Sequence, residues 1–600
     1  MSKKTTFDLF RGYTDGANNT SGKKFYVRTV TGSASQTTLT RVGKFFNTVS
    51  DALTRTLSYT AARSYGVFML AFGLCSLVVH FIMSYIGVSA SVPTYVIILS
   101  TAIAVLGIPL LMSEKPLAIL VQDFALTDFI FFEFFCIRRM HRSHKEKGLH
   151  FAVGIVLGVL FGALSAVVPL WIICSAIFIF IYLFLTFLSP EFSFFSIFLV
   201  MPYLTFDTDG IVLAIMVGVT MLSFARKVAL GKRVYFFEQY DFMLLIMLVC
   251  ILISGIFVKG VESFVSSVVM ILLGMGYILS SSLVSNRRLA DCLINAVIIS
   301  SLPISIFAIC ESVMDLVKNG VGGFSGATAT FYKPYTLAVF LLVSCVFSLY
   351  FVSVGHRIRT KIWYSVSFLV TIAGIACTLS FFAFVAALFG AVAFIAVRMR
   401  RGSGILLFAI TFILYALLFV PSEYLKMIID NDVAMTLGFS ESISKWLVSF
   451  AMLKDHLLLG VGIGGECFSE EIANYTSGNL FDNSGNFLLE IACEAGIISL
   501  IAFILIFLIR VRHRGVYQPY IKNSQVSKLS AFTSVCMVCL MVYGAFNYVW
   551  ADMTTYYLFW CIFGLESATL RISKQEFDDR VAYFSDGRAE DSSSIDISIR

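Results

Sequence analysis

Asp482, Asn486, Glu490 and Glu494 recur every four residues at the mouth of a long apolar run. On a helix this spacing puts them on one slowly drifting face, about 6 Å apart along the axis. A carboxylate at membrane depth costs roughly 3 kcal/mol unless it is solvated, paired or protonated. The stripe should therefore face a polar cavity. Asp482 can act as a base toward a hydroxyl, or simply cap the first helical turn. Glu490 and Glu494 can line a cavity, or bond to a neighbouring helix. Just upstream, Leu457 to Phe468 reads LLLGVGIGGECF. Its glycines suit a tight turn that brings backbone amides close to a ligand or a helix end. His456 precedes this turn, and an imidazole with a free pKa near about 6.5 suits general-base work. GVGIGG follows no strand, which excludes a dinucleotide site, and neither HExxH nor GxSxG occurs, so zinc and serine hydrolysis have no support.

The elements that must position these residues are apolar helices. The chain has 600 residues, 58% hydrophobic and 14% charged, against about 25% charged in a soluble domain. The pattern predicts an all-α polytopic transmembrane bundle of about 14–16 spans, with no cleavable signal ahead of the first apolar run near Tyr65. Sixteen spans are predicted: 66–86, 93–112, 151–169, 171–188, 191–206, 209–225, 241–258, 264–284, 291–311, 335–354, 361–379, 381–398, 403–420, 486–509, 529–548 and 553–570. With both termini in the cytoplasm, all 24 arginines fall inside, and only Lys259, Lys318, Lys333, Lys426, Lys445 and Lys454 of 20 lysines fall outside. This is the positive-inside bias. It leaves His456 as the one histidine of seven in an outer loop. The thirteen cysteines lie mostly within spans and read as small packing residues.

Four regions follow. Residues 1–64 form a basic, Ser/Thr-rich cytoplasmic arm. Residues 65–189 form an N-terminal transmembrane extension, whose cytoplasmic segment 113–150 pairs an aromatic run with a basic one, as an interfacial anchor does. Residues 190–572 form the main transmembrane domain, and 573–600 a polar cytoplasmic tail. Two outer segments exceed connector length, about 312–334 and 421–485, and long loops in compact proteins tend to carry function. The second contains an amphipathic stretch with apolar Ile443, Trp446, Leu447, Phe450, Met452 and Leu453, suited to a helix at a membrane face or capping a cavity.

The order of these segments resembles the bacterial O-antigen ligase and O-antigen polymerase superfamily. The resemblance is carried by the tryptophan, KDH and GVG-x-G residues between Trp446 and Phe468, by Asn486-Phe487-Leu488-Leu489 with Glu494-x-Gly496, and by GATATFYKPYTLA at 326–338. It covers roughly residues 190–570. It implies transfer of a saccharide from an undecaprenyl pyrophosphate-linked donor to an acceptor hydroxyl in surface polysaccharide assembly. The setting would be the outer face of the cytoplasmic (inner) membrane, with other polysaccharide-assembly proteins as further partners. No cofactor, metal or nucleic acid is implied, so the expected activity is that of a metal-independent glycosyltransferase.

A pyrophosphate leaving group needs cations. Where the family usually places arginine ahead of the loop tryptophan, this chain has Ser442 and Lys445. The expected site therefore uses Lys333, Lys445 and Lys454 for carrier phosphates, His456 and Asp482 as base or acceptor orienter, and Asn486 and Glu490 as cavity lining. The competing classes are a transporter of a small polar solute or glycan lipid, with the acid stripe coupling cations, and a catalytically inactive assembly partner.

Overall fold

The computed structural model describes residues 60–87, 92–135, 151–204, 210–229, 235, 239–258, 260–319, 326–355, 357–398, 439–476, 481–522, 524, 526–550 and 552–587. The span expected at 403–420 and the first part of the long outer loop lie outside these residues, as do residues 1–59 of the N-terminal arm, residues 136–150 of the cytoplasmic segment and the end of the tail. The described chain is all-α. Among the described residues, ten helices are long and apolar enough to cross a membrane, and Phe151–Leu164 and Asp241–Phe257 are shorter apolar helices. Helices dominate because hydrocarbon offers no partners to backbone amides and carbonyls, so each must be satisfied within its own segment. The chain divides into two compact units, residues 1–193 with 223–233 and residues 194–222 with 234–600.

The first unit contains α1 (Ala62–Tyr85), α2 (Thr94–Leu111), α3 (Phe151–Leu164) and α4 (Leu170–Leu188). Small residues let their backbones touch. A β-carbon on Gly73 would lie 2.5 Å from the Ser100 carbonyl oxygen, and one on Gly154 2.7 Å from that of Ser64. The hydroxyls of Ser100 and Ser165 each donate to Ser76 at 3.2 Å across this contact.

The second unit contains α5 (Gln239–Phe257), α6 (Gly260–Gly274), α7 (Gly276–Leu283), α8 (Arg287–Asn319), α9 (Pro334–Val354), α10 (Ile358–Cys377), α11 (Phe381–Arg398), α12 (Phe439–Asp455), α13 (Gly465–Ile472), α14 (Phe487–Lys522), α15 (Ser527–Gly544) and α16 (Met553–Gly587). Its core is aromatic. Phe487 packs edge-on against Trp550 at 4.6 Å, and Trp550 against Trp560 at 5.7 Å. This fixes the first residue of α14. The amphipathic helix α12 buries Ile443, Trp446, Ser449, Met452 and Leu453, a stripe at three- and four-residue spacing. Trp446 stacks on Phe546 at 6.0 Å.

Two expected spans have internal detail that hydropathy does not carry. The span at 264–284 is two helices meeting at Met275. The span at 486–509 continues to Lys522 and breaks at Gly496, which has φ 82° and ψ 169°.

Candidate functional site

Lys333 ends a short loop held at several points. The Ala327 amide donates to the Cys377 carbonyl at 2.8 Å, and Glu311 accepts from the Thr328 hydroxyl and the Ala329 amide at 3.1 and 2.6 Å. The Thr330 hydroxyl donates to the Pro202 carbonyl at 2.8 Å. Pro334 at the first turn of α9 keeps Lys333 extended, at φ −134° and ψ 145°. The ammonium therefore projects from a rigid platform. It lies 5.7 and 5.6 Å from the ring centres of Tyr332 and Tyr335 and pairs with the Asp482 carboxylate.

Lys445 approaches from α12. It pairs with Glu441 at 2.8 Å, one turn away, and lies 5.3 Å from the Phe481 ring centre. Burial, and then the nearby charge of Lys445, hold the Lys333 ammonium below its ordinary pKa. Two lysines 112 residues apart in sequence thus share one electrostatic site. The side chains of Lys333, Lys445 and Asp482 keep 26%, 22% and 51% of their area exposed, so a ligand can reach them.

The segment 481–486 closes the group. Asn483 donates to Asp482 Oδ1 at 2.9 Å and to the Tyr335 hydroxyl at 3.4 Å, while its own Oδ1 accepts from the Gly485 amide at 3.0 Å. Asn486 starts α14: its Oδ1 accepts from the Leu488 and Leu489 amides at 3.1 and 3.2 Å, and its Nδ2 donates to the Ala545 carbonyl at 2.8 Å. The helix cap is therefore Asn486, and Asp482 lies off the helix. Glu490 is fully buried beneath the segment and accepts from the Ser484 amide through Oε2, while its Oε1 has no hydrogen-bond partner among the described residues.

His456 and Lys454 have other surroundings. His456 Nε2 lies 3.4 Å from Glu471 Oε1, and the Tyr475 hydroxyl donates to the adjacent Asp455 at 2.6 Å. That hydrogen bond and burial push the Tyr475 pKa up to about 12. These contacts stitch the end of α12 to α13. Lys454 is exposed. It is nine residues beyond Lys445, about 900° of helical rotation, which puts the two on opposite faces of α12.

Of the seven expected site residues, Lys333, Lys445 and Asp482 come together, Asn486 and Glu490 lie directly beneath them, and no described contact links His456 or Lys454 to the group. Sequence reading missed Tyr335, Asn483 and Glu441. Asn483 had a signal, since Asp-Asn-Ser-Gly is rich in residues that bond their own backbone. Among the described residues no group of three or more His, Cys, Asp or Glu side chains is placed to hold a metal ion. Chemically, the arrangement offers exchangeable ammonium groups for an anion, tyrosine rings for an apolar or sugar face, and one accessible carboxylate for a hydroxyl.

Such a bundle of membrane-length helices, with two lysines and a carboxylate gathered at the mouth of a broken helix, defines a polytopic membrane protein with a polar site at one end. Residues 366–504 match the family model for O-antigen ligase, which supports membership of the O-antigen ligase and polymerase superfamily. The matched stretch includes Lys445, Asp482, Asn486 and Glu490, and ends before the second half of α14. No curated protein matches the chain.

Proposed function

We propose that this protein is a glycan ligase or polymerase of surface polysaccharide assembly, working on the outer face of the cytoplasmic membrane. It would move a saccharide from an undecaprenyl pyrophosphate-linked donor to an acceptor hydroxyl. The observation that carries this reading is the convergence of Lys333, Lys445 and Asp482 beside a segment with an O-antigen ligase match.

An exposed ion pair is worth about 0–1 kcal/mol, so Lys333 can exchange Asp482 for a phosphate at little cost. Lys445 can likewise leave Glu441. The exchange frees the Asp482 carboxylate to take the acceptor hydroxyl. The acceptor oxygen attacks the anomeric carbon and a new C–O bond forms. The bond from that carbon to the phosphate oxygen breaks, and the carrier leaves as its pyrophosphate. The hydroxyl proton passes to Asp482. The two ammonium groups neutralise the charge that builds on the leaving group. Lysine serves as a point charge without the guanidinium fork. Asn483 and Glu490 hold the 481–486 segment in shape.

Alanine substitution of Lys333, Lys445 and Asp482, read out as the length and amount of surface glycan in the native cell, tests the reading. Loss of polymer with normal protein levels supports it. Wild-type glycan from all three variants contradicts it.

A further inference from the structure

The break in α14 at Gly496 has a specific consequence. Freed carbonyls and amides at membrane depth need partners, and the loop 456–465 supplies them. The Val461 amide donates to the Cys493 carbonyl at 2.8 Å, and the Leu457 carbonyl accepts from the Ile497 amide at 2.9 Å. Neither contact side tolerates a side chain. A β-carbon on Gly460 would lie 2.4 Å from the Glu494 carbonyl oxygen, and one on Gly496 2.0 Å from that of Leu458. The glycine loop and the helix break are thus one interlocked unit.

Glu494 sits at the centre of that unit, with every acceptor in use. Its Oε1 accepts from the Gly464 amide at 3.3 Å, its Oε2 from the Tyr548 hydroxyl at 2.9 Å, and its carbonyl from the Ser254 hydroxyl at 2.7 Å. Gly464, at φ 111°, immediately precedes α13. The next residue, Gly465, packs on Asp482: a β-carbon there would meet the Asp482 carbonyl oxygen at 3.2 Å and its Cβ at 3.5 Å. A second tie, from the Ile463 amide to the Ser263 hydroxyl at 2.9 Å, fixes the loop to α6.

We infer that Glu494 is a positioning residue: through the Gly464 amide it sets where α13 begins, and so holds the segment that carries Asp482 against Lys333. It touches no substrate. This rests on the proposed reading for its catalytic consequence, but not for its structural one. Glu494→Gln keeps an acceptor for Gly464 and a polar contact for Tyr548. Glu494→Ala loses both, and Tyr548→Phe loses only the second.

The test uses the full-length protein in lipid nanodiscs. Amide hydrogen exchange at 460–466 reports the tether, and steady-state transfer from a purified undecaprenyl pyrophosphate-linked glycan reports the site. The expected result is at least tenfold faster exchange in Glu494→Ala and a smaller rise in Tyr548→Phe, with near wild-type exchange in Glu494→Gln. Transfer by Glu494→Ala should lose kcat with an unchanged donor KM, and Glu494→Gln should recover it. Unchanged exchange at 460–466 in Glu494→Ala overturns the inference, as does a kcat that Glu494→Gln fails to recover. Absence of transfer by the wild-type protein overturns the proposed function instead, and leaves the exchange result to decide the tether.

Discussion

Two charged clusters lie along α14 and follow opposite rules. Near its start, Lys333, Lys445 and Asp482 keep between 22% and 51% of their side-chain area exposed. Twenty residues beyond Glu490 and past the break at Gly496, Arg510 and Arg514 meet Glu566 at 2.8 and 3.1 Å with 5–9% exposed. The arginine cluster is closed. The Ser534 hydroxyl also donates to Glu566 at 2.8 Å, Arg514 donates to the Ser530 carbonyl at 3.1 Å, and Arg510 lies 4.1 Å from the Phe563 ring centre. It joins α14, α15 and α16 and leaves no carboxylate oxygen open. The lysine cluster is made of compact ammonium groups, Lys333 just ahead of α9 and Lys445 on α12, in pairs weak enough to exchange. Charge in this protein is thus buried and closed off at the guanidinium cluster and open to solvent at the lysine cluster.

The sharpest way to break that contrast is Glu566→Ala. It leaves two buried guanidinium groups without their carboxylate, a loss of about 3–5 kcal/mol. Thermal unfolding in detergent should show a large fall in midpoint and a poor yield of folded protein. Lys333→Ala and Lys445→Ala should unfold within about 1 kcal/mol of wild type. Equal stability across all three would erase the distinction.

Activity should show the reverse order. Each lysine variant should lose about 10²–10³-fold in transfer rate, the usual effect of removing one preorganised charge, while Lys333→Arg keeps more than Lys333→Ala. The pH profile sharpens the pairing. Burial and Lys445 both disfavour the Lys333 ammonium, so activity that needs it should fade on the alkaline side at a pH below the ordinary lysine range. Removing Lys445 takes away a like charge, so this alkaline limb should move upward in Lys445→Ala. A limb that stays put would separate the two lysines. The smallest effect is expected at His456, whose described partner is Glu471. His456→Ala should cost less than the roughly 10²-fold that follows loss of a general base; a greater loss would shift the base from Asp482 to the histidine.

Much of the fold was legible because hydrocarbon leaves few choices. Apolar length and arginine placement located α1, α2, α9 and α15 to within a few residues, and the amphipathic pattern located α12. The break at Gly496 was not legible. Glu494-Ala-Gly reads equally well as ordinary helix packing, and the partner that makes glycine obligatory, Leu458, is 38 residues away. The site was legible in part for a similar reason. Residue type and topological side singled out Lys333, Lys445 and Asp482, but their meeting depends on tertiary packing. Lys454 and His456 share a sequence neighbourhood with the glycine loop, but no described contact links either of them to the group. Asp482 reads from sequence as a possible cap of the first helical turn, whereas the amides of Leu488 and Leu489 bond to Asn486.

The most direct test of the lysine site is single-turnover transfer by purified protein in nanodiscs, from an undecaprenyl pyrophosphate-linked glycan to an acceptor glycan. Wild type, Lys333→Ala, Lys445→Ala and Asp482→Ala would be compared at matched folded concentration. Transfer by wild type, with each variant at least 10²-fold slower, is the expected result. Equal transfer by all four proteins, or solute flux by wild type without any transfer, would contradict it.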